Sequence, residues 1–198
     1  MSAALWGEAL EGLRAFHEST PVLRDFAAFP TDLQETSYRQ QDHPVRAGFQ
    51  SEAFGPSPHG DFIEVLQRVG DVAHWRFTYK DTDIGDDFLD RFGCYCLIGP
   101  EAPWTSASMF AFLVYMPRGL WYPWHHHPAE EIYVVLGGSG DFHRKGETVA
   151  RLGPGEASFH ASNLPHALET TDAPVLALVY WRNHFDISPV LTPEEMLG

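Results

Sequence analysis

The amino-acid sequence predicts a mainly β protein, a double-sheet jelly-roll barrel with a helical N-terminal region packed on its outside. Nine short strand candidates lie between residues 74 and 181, separated by Gly, Pro, Asp and Asn turns that are typical of strand ends. Residues 1–72 instead carry apolar side chains near helical spacing. A chain of 198 residues, 44% of them hydrophobic, is long enough for one domain with a core. We therefore expect one compact unit made of a helical region, residues 1–72, and a barrel, residues 73–198.

The helical region is predicted in several parts. A first helix is indicated by apolar residues near helical spacing, namely Leu5, Leu10, Leu13 and Phe16. A second helix is predicted for residues 22–29, and Thr31-Asp32 is a suitable cap for a third short one. Residues 61–72 predict a later amphipathic helix. Two roles are open for this region: it covers the outer face of the barrel, or it forms part of a dimer interface or of a lid over the cavity.

The strand candidates are short and alternate with turns. They are residues 74–79, 94–98, 109–116, 132–136, 140–145, 147–151, 157–160, 167–170 and 175–181. Cys94 and Cys96 lie two apart on the second of them, where we expect buried thiols rather than a metal or redox pair. The acidic residues 81–90 lack the order of ligands of a calcium loop, which favours a solvated connection.

Charge and hydropathy exclude several classes of partner. The formal net charge of −14 would repel the phosphates of nucleic acid and an anionic membrane surface. The chain has no stretch approaching the ~20 apolar residues of a membrane span, and its first residues lack the basic and apolar regions of a signal peptide. We therefore expect a cytoplasmic protein. An anionic substrate would need local positive charge, which a divalent cation would supply.

One segment predicts a metal site. His125, His127 and Glu131 stand at H-x-H-x3-E spacing, with Gly119 six residues before the first histidine and Gly138 seven after the glutamate. Residues two apart on an extended segment share a face, so the two imidazoles project together. Pro128 and Ala129 interrupt the strand, after which the glutamate can return to the same side. Two imidazoles and a carboxylate suit a divalent transition metal such as Zn, Fe, Mn, Co or Ni.

The fourth metal ligand is expected from a second segment. Asn163-Leu164-Pro165 predicts a turn that presents His166, and a ligand directly after a rigid turn is held in place by the backbone. His160, on the strand before that turn, is the competing candidate. His126 points away from the other two histidines of its run, so we do not expect a catalytic role for it.

These two segments together resemble the two motifs of the cupin superfamily. The first pattern, G-x5-H-x-H-x3-E-x6-G, is matched at Gly119, His125, His127, Glu131 and Gly138. The second is matched more loosely, by Pro154-Gly155 and Pro165-His166. The resemblance implies the cupin double-stranded β-helix for the barrel.

Further residues are similar to one group of cupins. Tyr122 stands three before the first ligand histidine, Tyr133 two after the glutamate, and Trp181 near the end of the last predicted barrel strand. With the run of residues 128–131, this pattern resembles the cupin dimethylsulfoniopropionate (DMSP) lyases, most closely the Q type. The resemblance implies a metal-dependent carbon-sulfur lyase that releases dimethyl sulfide and acrylate by β-elimination.

The resemblance also implies roles for individual residues. Tyr133, associated with the metal, would act as the base, with Tyr122 as the alternative base or as a donor to the substrate carboxylate. Aromatic faces attract onium groups, so we expect Trp124 and Trp181 to form the wall for the sulfonium. His160 would contribute to substrate binding, as a group behind the metal ligands or as a proton shuttle.

Two other functions fit the same metal ligands. The first is an Fe(II) dioxygenase acting on a small organic acid or thiol, and the second is a non-catalytic cupin that only binds a ligand. Oxygen consumption against anaerobic release of dimethyl sulfide would separate the enzymes. A homodimer is a further expectation, because a sheet with exposed edges invites pairing.

Overall fold

The computed structural model describes residues 2–198, which contain five α-helices and twelve strands. One short strand lies among the helices, and the other strands follow the last helix. The helices are α1 (Ser2–Ser19), α2 (Pro21–Phe26), α3 (Val45–Ser51), α4 (Gly60–Val69) and α5 (Asp86–Arg91). The strands are β1 (Gln34–Glu35), β2 (Gly93–Ile98), β3 (Trp104–Thr105), β4 (Phe110–Met116), β5 (Leu120–His126), β6 (Glu130–Gly138), β7 (Gly140–Arg144), β8 (Ala150–Leu152), β9 (Ala157–His160), β10 (His166–Thr170), β11 (Val175–Arg182) and β12 (Val190–Leu191). A 3-10 helix, Glu194–Met196, follows them. Across residues 2–198, no helix is both long enough and apolar enough to span a bilayer.

Ten of these strands form two antiparallel sheets. The helix-side sheet has the order β2-β4-β11-β6-β9, and the outer sheet has the order β12-β5-β10-β7-β8. The two sheets face each other, and the remaining strands, β1 and β3, pair separately. The predicted jelly roll with an N-terminal helical region outside it is confirmed, although the sheets stay separate and do not close into one continuous barrel over the described residues.

The helix-side sheet takes part in two hydrophobic cores, which explains why its strands are buried along most of their length. On β6, Ile132 and Val134 pack with the helices, whereas Tyr133 and Val135 pack between the two sheets. Successive side chains of a strand point to opposite faces, so both faces of this sheet are covered. The face between the sheets is the one that carries Glu131 toward the predicted metal site.

The strand predicted for residues 74–79 is wrong. Only His74 and Trp75 form isolated bridges there, and turns follow. Trp75 is buried among the helices and donates its indole N–H to the carbonyl of Gly70, whereas Tyr79 belongs to the core between the sheets. The segment therefore crosses from one core to the other, and its alternation of polar and aromatic residues imitates that of a strand.

Two predicted helices also differ from the structure. No helix follows Thr31-Asp32; instead the Asp32 carboxylate accepts hydrogen bonds from Ser106, Ala107 and Ser108, next to the small sheet of β1 and β3. The second helix ends at Phe26, because Ala27 has an extended backbone. The helix expected at residues 61–72 is α4, which ends three residues earlier.

The acidic residues 81–90 are not entirely a solvated connection. They include most of α5, which buries Phe88 against Tyr122. The expectation of buried thiols is confirmed, since Cys94 and Cys96 are both buried and free of a disulfide. The buried face of α5 brings this segment against the cavity described below.

Gly138 occupies a position that a side chain would not tolerate. Its φ is +71°, and a Cβ there would lie 1.8 Å from the carbonyl oxygen of Pro174. Gly119 has a similar φ of +70° but open space around it. We expect Gly119→Ala to cost about 1–3 kcal/mol for the left-handed backbone and Gly138→Ala to cost clearly more. Urea unfolding of both variants measures the difference, and equal losses would contradict the close contact.

Candidate active site

The outer sheet brings three histidines together. In the pairing of β5 with β10, His125 lies opposite His166, and His127 follows directly after β5. Asn163, which has a left-handed φ of 58°, donates its backbone N–H to the carbonyl of His127 over 2.8 Å. The turn that presents His166 is therefore tied to the segment that carries His127.

Glu131 comes from the helix-side sheet, where its neighbours hold both of its oxygens. Trp181 on β11 and His160 on β9 are its partners in register on either side. The Trp181 indole N–H donates to Oε1 over 2.6 Å, and His160 Nδ1 donates to Oε2 over 2.6 Å. Burial alone would raise the pKa of the Glu131 carboxyl, but the facing His127, His160 and His166 hold that pKa well below its usual range.

Side-chain atoms of His127, Glu131 and His166 form a buried cluster in which all three lie within 4.8 Å of one another. The Nδ1 atoms of the two histidines lie 3.0 and 2.8 Å from the carbonyls of Ala129 and Leu164. A carbonyl only accepts, so each Nδ1 carries a hydrogen, and each ring turns its Nε2 inward. These Nε2 atoms lie 3.4 and 3.1 Å from the Glu131 oxygens without forming an aligned hydrogen bond.

This arrangement fits a metal ion. Two Nε2 atoms without an aligned hydrogen bond face the oxygens of a carboxylate across about 3 Å, and a cation between them would satisfy both sides. Histidine Nδ1–H groups fixed by carbonyls are also the usual support of metal-binding rings. The chemistry of the donors, nitrogen and oxygen without sulfur, suits a divalent transition metal.

His125 adjoins the cluster but is placed differently. Its Nδ1 lies 2.8 Å from the carbonyl of Pro123, and its ring centroid is 4.1 Å from that of His166. Burial, reinforced by the neighbouring His166, lowers the pKa of His125 well below its usual value. A neutral His125 on the wall of the same cavity is therefore available as a further ligand.

His160 has no ring nitrogen left for a metal. Nδ1 binds Glu131, and Nε2 accepts a hydrogen bond from the Ser158 hydroxyl over 3.0 Å. Burial, reinforced by His166, lowers the pKa of His160 to about 3. His160 does not line the cavity, so the structure places it behind Glu131 and not on a substrate surface.

A cavity of about 300 Å³ opens beside the cluster and is lined by His125, His127, Glu131 and Tyr133. This volume suits one small ligand. The Tyr133 hydroxyl makes no hydrogen bond with any of residues 2–198, so it is available to a ligand in the cavity. Burial raises the pKa of Tyr133 well above its ordinary value, and the charge of Glu131 raises it further.

Tyr122 also lines the cavity, but its hydroxyl is already paired. It lies 2.9 Å from the hydroxyl of Tyr79, which belongs to the segment between α4 and α5. The Tyr122 ring stacks on His125 with centroids 3.9 Å apart. Burial raises the pKa of Tyr122 well above its ordinary value. Tyr122 therefore supports the His125 ring, and Tyr133 is the tyrosine with a free hydroxyl.

The aromatic wall of the cavity differs from the one expected. Trp181 lines it, and three phenylalanines continue the wall from there. Phe112 packs against Trp181, Phe110 against Phe112, and Phe185 against Phe110. Trp124 does not reach the cavity. It stands one residue before His125, so it points to the other face of β5 and packs near His143. His126 also points outward, and its Nδ1 lies 2.8 Å from the Thr192 hydroxyl.

Sequence reasoning missed several of these residues. Tyr79, Phe112 and Phe185 come from distant parts of the chain and have no spacing that links them to the histidine motif. Arg76, whose guanidinium lies 5.6 Å from the centre of the Phe112 ring, was also missed. Phe112 alone had a usable signal, because it lies on the strand predicted for residues 109–116.

Known proteins resemble this chain over nearly its whole length. A family model for dimethylsulfoniopropionate lyases matches residues 17–177. The DMSP lyase DddQ of Ruegeria pomeroyi is 42% identical over 187 residues, which are 94% of this chain and 93% of the relative. The crystal structure of DddQ from Ruegeria pomeroyi DSS-3 superposes with a TM-score of 0.93, at 41% identity and 96% coverage of both chains.

A second solved structure agrees. A chain from the crystal structures of the DMSP lyases RdDddP and RnDddQII matches with a TM-score of 0.92, at 32% identity, covering 98% of this chain and 100% of the other. The family resemblance that the motif and the tyrosines predicted is therefore confirmed: this protein belongs to the dimethylsulfoniopropionate lyase family.

Proposed function

We propose that this protein is a metal-dependent lyase that cleaves DMSP to dimethyl sulfide and acrylate. The observation that carries the proposal is a single small cavity that combines a buried histidine and glutamate cluster with an aromatic wall. DMSP has a carboxylate at one end and a sulfonium at the other. A site with a cation-binding cluster beside aromatic faces matches both ends of such a molecule.

In this proposal one divalent ion, Zn, Fe, Mn, Co or Ni, is held by His127, Glu131 and His166, with His125 as the fourth ligand. The inward-facing Nε2 atoms of His127 and His166 support this set. When bound, the ion would supply a Lewis acid for the substrate carboxylate and would favour the phenolate of a neighbouring tyrosine.

Tyr133 is the base in this proposal. Its oxygen removes a proton from the carbon next to the carboxylate, and the electrons of that C–H bond form the new double bond. The C–S bond breaks, its electron pair leaves with sulfur, and neutral dimethyl sulfide departs from acrylate. Tyr122 is the less suitable base because its hydroxyl is bound to Tyr79.

The sulfonium binds along the phenylalanine wall and Trp181 in this proposal, not at Trp124. Phe112→Leu keeps the apolar volume but removes the aromatic face, so we expect KM for DMSP to rise roughly 2- to 30-fold, the equivalent of a cation–π contact of about 0.5–2 kcal/mol. Steady-state kinetics measure the effect. Trp124→Leu is the control. A rise in KM for that variant alone would show that the sulfonium binds at Trp124, as the sequence predicted, and not at Phe112.

The proposed function is tested by incubating metal-loaded protein with DMSP without oxygen. We expect equal amounts of dimethyl sulfide and acrylate, measured by gas and liquid chromatography. The same protein in air with small thiols and organic acids should consume no oxygen beyond the background. A wild-type protein that is inert toward DMSP with every divalent ion, or that consumes oxygen with the acids, would overturn the proposal.

A further inference from the structure

We infer that His160 is a positioning residue that holds the metal ligand of one sheet against that of the other and thereby sets the affinity of the cluster for its ion. The inference rests on the metal site of the proposed function. His160 is buried, does not line the cavity and offers no nitrogen to it, so its role is not that of a metal ligand or a substrate contact.

The first contact is with Glu131, in the same sheet. His160 lies opposite Glu131 in the pairing of β9 with β6, and its Nδ1 donates to Oε2 over 2.6 Å. The Ser158 hydroxyl, 3.0 Å from Nε2, holds the ring in the tautomer that can donate to the glutamate. Both residues are buried, with exposed fractions of 1% for His160 and 4% for Ser158. The donor is thus fixed before any ion binds.

The second contact is with His166, in the opposite sheet. The two imidazole rings stack with centroids 3.9 Å apart and planes at 24°. His166 Nε2 in turn lies 3.1 Å from the same Oε2 atom that His160 binds. One side chain therefore limits the movement of two ligands that reach the cluster from different sheets, and no hydrogen bond within residues 2–198 joins the His166 side chain to the helix-side sheet.

Removing His160 should leave the ligands present but poorly placed. Substitution of a residue that hydrogen-bonds to a metal ligand typically weakens metal binding 10- to 100-fold. The variant His160→Phe keeps a ring that can stack on His166 but cannot donate to Glu131. His160→Asn places an amide N–H near the position of Nδ1 and restores the donor without the ring. Comparison of the two variants therefore separates the hydrogen bond from the stacking.

The experiment measures the affinity of the folded, metal-free protein for Zn²⁺ by competition with a chromophoric chelator. We expect His160→Phe to bind Zn²⁺ about 10- to 100-fold more weakly, His160→Asn to recover most of the loss, and Ser158→Ala to lose a smaller part. His17→Phe is the matched control: His17 is equally buried, packs between Phe29 and Tyr180, and has no hydrogen-bond partner on either ring nitrogen among residues 2–198.

Each outcome decides the inference. Zn²⁺ affinity within twofold of wild type in His160→Phe, or an equal loss in His17→Phe, would overturn it. If His160→Phe does not fold, unchanged affinity in Ser158→Ala overturns it instead. If the wild type binds Zn²⁺ tightly but does not cleave DMSP, the proposed function is refuted. The role of His160 is then still decided by the Zn²⁺ affinities of the variants.

Discussion

Tyr133→Phe is expected to lower kcat/KM for DMSP cleavage roughly 10²- to 10⁴-fold, the usual contribution of a general base. The substitution removes one oxygen and leaves the ring between Phe142 and His160, so the cavity keeps its shape. The Tyr133 hydroxyl binds no other group in residues 2–198, and its loss should not disturb the metal ligands. Acrylate release measures the rate, and elemental analysis should give an unchanged metal content.

Tyr180→Phe is the matched control for this prediction. Tyr180 lies on the opposite face of the helix-side sheet, and its hydroxyl is buried without a partner in the described chain. Its removal should leave both turnover and stability close to wild type. Ordinary turnover in Tyr133→Phe together with loss of turnover in Tyr122→Phe would transfer the role of base to Tyr122 and leave the proposed function intact.

His166→Ala is expected to abolish both metal binding and activity, with kcat/KM lowered by more than ~10²-fold, because a bound metal contributes several kcal/mol to catalysis of this kind. His166 is the member of the cluster closest to Glu131, and no other described side chain offers a ring nitrogen from β10. His125→Ala should have a similar effect if His125 is the fourth ligand. Elemental analysis and acrylate release measure the two losses.

His143→Ala is the control for the ligand variants. His143 lies on β7, next to the strand of His166, but its ring packs against Trp121 and Trp124 on the outward face. Metal content and turnover should stay near wild type. A His125→Ala variant that keeps its metal would reduce the proposed ligand set to three residues, and a His166→Ala variant that keeps it would refute the cluster.

The sequence was sufficient for the parts of the site that depend on local alternation. His125 and His127 reach one cavity because residues two apart on an extended segment share a face, and Tyr133 follows Glu131 on β6 by the same rule. Applied to Trp124, the rule predicts an outward side chain, and the structure places it there. A sulfonium wall that includes Trp124 is therefore incompatible with the alternation that places His125 in the cavity.

The rest of the site depends on distant contacts. Phe185 reaches Phe110 from beyond the end of β11, and Tyr79 reaches Tyr122 from an irregular segment that sequence pattern presented as a strand. These contacts depend on how sheets and loops pack, and the hydrophobic periodicity of a single segment carries no information about that packing. The contacts of His160 were equally hidden, because the one with Glu131 depends on the register of β9 against β6, and the one with His166 depends on how the two sheets pack.

Because Glu131 belongs to one sheet, and His166 lies on the other with His127 directly after its strand β5, an ion in the cluster would also tie the two layers of the jelly roll to each other. A ligand that binds only the folded chain adds about 2.7 kcal/mol to its stability at a concentration 100 times its Kd. Resistance to heat and to proteases would then follow the free metal concentration. Protein made under metal scarcity would unfold more readily, so that supply of the ion would govern how long the enzyme persists as well as how fast it works.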